Sequence, residues 1–230
     1  MHLEKVSAEP IFRVDGNRVV TSPDAAGPWD PRMQHGSAPA ALVVWAAEAI
    51  AAPVPMQIAR VTIDLMRPVP VAPLTIETEV MRQGRKIQLC AIRLLADGVV
   101  VVGANVLKIR TQVQALPPGI ADLPVDLPGP DQSMVEPANH AGSPFTKCIS
   151  MRAARGRFGM VGPGAIWFRV DRPLIEGSPV SQVMRAVVAA DFSNGTSSAL
   201  DFRQWTFINA DLTVSFARQP LGQWILLDAE

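Results

Sequence analysis

Between Ala38 and Ala52 the chain reads APAALVVWAAEAIAA, and Glu48 is the one charged residue in the run. Ser37 stands where a helix cap is expected, and Pro39 falls in the first turn, where its missing N–H costs little. The spacing therefore predicts a helix over about 38–51. A helix that is apolar on every side offers no face to water and must be covered all round. The run is too short to cross a bilayer and carries Pro39 and Glu48, so the cover has to come from the rest of the chain.

Segments suited to that task flank the helix. A short strand is expected around Phe12 to Val20. After the helix, Val61, Ile63 and Leu65 alternate with Thr62 and Asp64, and Leu74, Ile76 and Val80 alternate with Thr75, Glu77 and Glu79. Gln83-Gly84 turns the chain into a strand over Lys86 to Leu95, and Asp97-Gly98 signals a hairpin into Val99 to Arg110. Proline and glycine then crowd residues 116–144, which excludes a helix interior or a central strand there.

Beyond this stretch the order repeats: a strand at Ile166 to Val170, a helix opened by Ser178-Pro179 with Val180, Val183, Met184, Val187 and Val188 on one face, then Leu212, Val214 and Phe216 alternating, then a strand from Trp224 to Glu230. Residues 61–79 lie over 212–230 without a gap, matching Thr62 to Thr213, Arg67 to Arg218 and Glu79 to Glu230. This predicts a duplication: a first domain at 1–113, a linker at 114–145 and a second domain at 146–230. The first copy has two strands beyond the matched segment. The overlay therefore predicts a second domain that is incomplete at its C-terminus: either this copy has lost two strands or, the reading favoured here, the natural chain continues with two or more. Asn194-Gly195 reads as the stop of the second helix.

Composition narrows the function. Lys plus Arg and Asp plus Glu both number 21, which argues against a nucleic-acid or polybasic membrane partner. Tyr is absent and aromatics are 6%, so base-stacking platforms are not expected. Hydrophobic residues at 48% describe a folded chain. The N-terminus lacks the apolar core of a secretory signal, and two distant cysteines, Cys90 and Cys148, suit a reducing cytoplasm and no metal site. Cys90 reads as a small buried hydrophobe.

Three segments carry a family resemblance: GPWDPRMQHGSAPAALVVWAAEAI, RVTIDLMRPVP and the stretch from AADFSNGTSSALDF to QWILLDAE. Together they resemble the type II (TesB-like) acyl-CoA thioesterases. The resemblance implies an α+β tandem, or double, hotdog: two antiparallel sheets, each wrapped around a long buried helix. It implies hydrolysis of an acyl-CoA to a free acid and CoA, with no cofactor and no metal. Homo-oligomerisation stays open. The family's catalytic Asp maps onto Asp211, and its Ser or Thr and its Gln map beyond Glu230.

Thioester hydrolysis needs a group that deprotonates water and donors for the developing oxyanion. Asp211 suits the first role. Backbone N–H groups at Gly36 and Ser37, at the start of the first helix, suit the second. His35, immediately before them, is placed to touch the acyl group or the water. Arg67 and Arg218 read as solvated strand ends. Two alternatives stand beside hydrolysis: a non-catalytic acyl-thioester binder, and a hotdog enoyl-CoA hydratase that uses Asp30 with His35.

Overall fold

The first helix, α1 (Ser37–Ala49), is enclosed from its first residue to Val44, with Ala46 and Ala47 also buried. The computed structural model describes residues 9–113, 115, 117, 125–137, 142–202, 204–206 and 208–230. Ahead of α1 lie β1 (Phe12–Asp15) and β2 (Arg18–Thr21), a tight hairpin where one strand was expected. After it come β3 (Met56–Leu65), β4 (Leu74–Gln83), β5 (Ile87–Ala96) and β6 (Val99–Arg110). The β5–β6 turn has positive φ at both Asp97 (48°) and Gly98 (77°), the mirror-image turn that matches strand twist.

The second half holds β7 (Met134–Glu136), β8 (Ile149–Arg155), β9 (Gly164–Val170), α2 (Gln182–Ala190), a single turn α3 (Ser193–Thr196), β10 (Asp211–Ser215) and β11 (Trp224–Ala229). Strand β7 and the buried Phe145 fall inside the stretch read as a linker. Strand β7 occupies a sheet edge, where proline-rich flanks are tolerated. Helix α2 starts later than expected. Ser181 is extended and its hydroxyl accepts the Met184 N–H, so it caps the helix in place of Ser178.

Two antiparallel sheets result, in the orders β1-β2-β4-β5-β6-β3-β10 and β11-β9-β8-β7. The sheets do not follow the halves, because β10 of the second half pairs with β3 of the first. In that pairing Thr62 stands opposite Thr213. The sequence overlay also makes these two residues equivalent. A residue that is both the partner and the equivalent of another lies on a twofold axis, so an approximate dyad passes through this pair. Leu212 and Val214 sit beside the buried Ile63 and Val61 on the inner face.

Helices α1 and α2 pack against each other beneath these sheets. Strand β1 is tied to the second half, its Phe12 N–H bonding to Leu174 O at 2.8 Å. The end of α1 is closed by Lys108, which is 4% exposed and donates to Ile50 O at 2.8 Å. A cation there complements the negative end of the helix, while burial pushes its ammonium pKa down. Cys90 is fully buried and its thiol pKa is raised by burial.

Leu42 is fully buried on α1. Leu42→Ala is expected to cost about 2–5 kcal/mol in denaturant unfolding, the range for deleting a core leucine. Val20→Ala, at a strand position that is 59% exposed, should stay within about 0.5 kcal/mol. Equal effects would remove α1 from the core.

Candidate active site

The N-terminus of α1 meets the C-terminus of α2, and between them lies one carboxylate. Asp191 is the C-cap of α2, and its side chain is 5% exposed. Its Oδ2 accepts the Ser37 hydroxyl at 2.9 Å and lies 3.0 Å from His35 Nδ1. Its Oδ1 accepts the Asn209 amide at 3.0 Å. Asn209 is itself held by Asn194, whose Nδ2 donates to its Oδ1 at 2.6 Å. The cluster is composite: His35 and Ser37 come from the first half, Asp191, Asn194 and Asn209 from the second.

Burial alone raises the Asp191 pKa, because it disfavours the charged form. The hydrogen bond of His35 and, when the imidazole is protonated, its charge, then the hydrogen bonds of Ser37 and Asn209, outweigh it and hold the carboxyl below its ordinary range. The partial positive charge at the start of α1 acts in the same sense.

Gly36 explains why the carboxylate can come so close. A Cβ there would lie 2.7 Å from Asp191 Oδ1 and 2.9 Å from Oδ2. Gly36 has ordinary helical dihedrals, φ −55° and ψ −30°. Space is therefore what requires glycine here, not backbone freedom.

His35 is fixed on both faces. Its ring lies 5.1 Å from Phe145 and 4.7 Å from Phe192, centroid to centroid. Its Nδ1 is also 3.2 Å from the Ser37 backbone nitrogen. One nitrogen cannot both give a proton to Asp191 and accept one from Ser37. The ionised carboxylate is the stronger partner, so Nδ1 carries the proton and Nε2 keeps its lone pair. The His35 side chain is 12% exposed, which leaves the ring a narrow opening to solvent.

The structure thus brings His35, Gly36 and Ser37 together. Ser37 is the first residue of α1 and not its cap, since its hydroxyl reaches across to Asp191. The cap position belongs to Gly36, with no side-chain bond. Among the described residues the Gly36 N–H has no acceptor. Asp211 lies outside this cluster. It begins β10, exposed, opposite Asp64 on the face of the sheet turned away from Leu212 and Val214. Asp30 does not meet His35. It takes the Arg32 side chain at 2.7 Å and the Arg32 backbone N–H at 2.9 Å, which pull its carboxyl down to about 2.

Asp191 and Asn209 were not among the residues read as catalytic. One local signal for Asp191 was present: a carboxylate ending a helix opposes the helix dipole, so a partner had to come from elsewhere. Asn194-Gly195, read as a helix stop, forms α3 instead. A Cβ at Gly195 would run into the Phe158 ring, which would have to shift.

Among the described residues no group of His, Cys, Asp and Glu is arranged to hold a metal. No helix is long and apolar enough to cross a membrane.

Solved structures share this architecture. A hotdog-fold protein of unknown function from Alicyclobacillus acidocaldarius superposes with a TM-score of 0.68 at 19% identity, covering 91% of this chain and 76% of its own. The tesB protein of Mycobacterium avium subspecies paratuberculosis gives 0.66 at 16% identity, covering 94% and 80%. Acyl-CoA thioesterase II TesB2 of Mycobacterium marinum gives 0.60 at 16% identity, covering 94% and 79%. At these identities the likeness is one of fold, the tandem hotdog. Among curated protein sequences no match was found. Family models are more specific: residues 25–108 match the acyl-CoA thioesterase N-terminal domain and residues 123–230 its C-terminal domain. With both of its domains matched in order over most of its length, the chain belongs to the acyl-CoA thioesterase family.

Proposed function

We propose that the protein hydrolyses acyl-CoA thioesters with His35 as general base, held by Asp191. The observation that carries this reading is the His35–Asp191 pair at 3.0 Å, which fixes Nδ1–H on the carboxylate and leaves Nε2 free. A water at Nε2 gives up a proton as its oxygen attacks the thioester carbon. The carbonyl oxygen gains charge beside the start of α1, where among the described residues the Gly36 N–H has no acceptor and the Ser37 N–H faces only the protonated Nδ1. The tetrahedral intermediate collapses, the C–S bond breaks and the sulfur takes the proton from His35. The products are a free acid and CoA thiol. Asp191 stays ionised throughout and stabilises the imidazolium.

A second reading gives the water to Asp211, the position implied by the family resemblance. It is supported by an exposed carboxylate with no ion-pair partner among the described residues, two residues beyond Asn209. The two readings separate kinetically. With thiol release from acyl-CoA as the assay, His35→Ala and Asp191→Asn should each lower kcat by roughly 10²–10⁴-fold, the range for losing a positioned base. Asp211→Asn should stay within a few-fold. The reverse order would assign the water to Asp211. Hydration of crotonyl-CoA without thiol release would replace hydrolysis by hydratase chemistry, and binding without turnover would make the protein an acyl-thioester carrier.

Gly36→Ala tests the close approach at the helix start. The added methyl group must displace the Asp191 carboxylate. The variant should lose kcat by about tenfold or more while keeping its circular dichroism spectrum, in line with the steep cost of misplacing a positioned group. Unchanged turnover would show that the carboxylate position does not matter.

The depressed Asp191 carboxyl also makes a statement about stability. The unfolded chain binds this proton near the ordinary 3.8, and the folded chain binds it only at lower pH. The contribution is therefore full above 3.8 and is lost as pH falls below 3.8 through the folded value. In urea titrations between pH 6 and 3, wild type should lose stability more steeply at the acid end than Asp191→Asn. Parallel curves would mean that the carboxylate gains nothing from its partners.

A further inference from the structure

Asn209 is part-buried, belongs to the segment leading into β10 and has both ends of its amide occupied. Its Nδ2 donates to Asp191 Oδ1 at 3.0 Å, and its Oδ1 accepts from Asn194 Nδ2 at 2.6 Å. The carboxylate settles which end of the amide faces it, because only the NH₂ end can donate to it, and the Asn194 amide then donates to the oxygen left over. Asp191 then has each oxygen assigned: Oδ1 to Asn209, Oδ2 to Ser37 and His35. A carboxylate with one oxygen unclaimed can rotate about its last torsion, which would swing Oδ2 away from His35 Nδ1.

We propose that Asn209, with its amide oriented by Asn194, is a positioning residue that locks the Asp191 carboxylate so that Oδ2 stays on His35. The role rests on the hydrolytic reading of the His35–Asp191 pair given above. It makes the approach to β10 part of the site: the strand that joins the two halves at Thr62–Thr213 begins two residues after the amide that orients the carboxylate. His35 is the one titratable group that faces Asp191. Ser37 from α1 and Asn209 from the segment before β10 face it as neutral donors.

The test compares full-length wild type with Asn209→Ala, Asn209→Asp and Asn194→Ala. Each is read by kcat and KM for acyl-CoA hydrolysis across pH and by the carboxyl-carbon NMR resonance of Asp191 against pH. Asn209→Ala should lower kcat by roughly 10- to 100-fold, the span of one hydrogen bond to a buried charge, with KM within about threefold. Loss of a donor makes the carboxylate more basic, so the acid limb of kcat and the Asp191 resonance should both move to higher pH. Asn209→Asp should move them further, because a second carboxylate then competes for the same proton. Asn194→Ala should act in the same direction and more weakly. A merely structural Asn209 would reduce the folded fraction and leave the acid limb and the Asp191 resonance in place, and that result overturns the proposal. The resonance also separates the two claims. If wild type releases no thiol yet Asn209→Ala still shifts Asp191, the hydrolytic reading fails and the positioning role holds. If thiol release is normal and Asp191 does not shift, the positioning role fails alone.

Discussion

A charged carboxylate inside a protein has to find partners for both of its oxygens, and Asp191 finds three of them on two separate segments. Ser37 and His35 come from the start of α1, and Asn209 comes from the segment before β10. The same charge lies at the positive end of α1 and at the negative end of α2, so it is welcome to one helix and unfavourable to the other. The two helix termini are thereby held in contact, which fixes where the halves meet. Gly36 permits the approach, and the rings of Phe145 and Phe192 pack against His35. Removing any one partner would leave part of a buried charge unpaired, the costliest defect that an interior can hold.

Around this contact the rest of the fold is hydrophobic enclosure. Helix α1 has almost no polar surface, so the first sheet curls around it and α2 covers what the sheet leaves open. The duplication contributes a dyad through Thr62 and Thr213, but the site does not obey it. The buried Asp–His pair uses the N-terminus of one helix and the C-terminus of the other. The two copies therefore contribute different residues to one cluster.

Much of the architecture was legible in the chain. The apolar helix, the alternating strands on either side of Asp97-Gly98 and the match of residues 61–79 to 212–230 are local patterns, and all three reappear in the structure with small shifts of boundary. Strand β8 was overlooked because its inward residues, Ile149, Met151 and Ala153, alternate with Ser150, Arg152 and Ala154. Alanine on both faces blurs the period. Strand β7 was hidden among prolines and glycines, which an edge position tolerates.

The site divided along the same line. His35, Gly36 and Ser37 could be singled out because the start of a buried helix offers unpaired N–H groups wherever it lies. What Ser37 does with its hydroxyl, and which acid His35 meets, could not be read from neighbours in sequence. Asp30 is five residues from His35 and turns to Arg32, while Asp191 is 156 residues away and touches the ring. The sequence by itself determined that one helix must be buried, that sheet must wrap it and that the pattern occurs twice. Those follow from periodicity, which acts over a few residues. Only the tertiary structure decided which carboxylate is buried and which amide orients it, because those contacts depend on two helix ends being brought together by the packing of the whole chain.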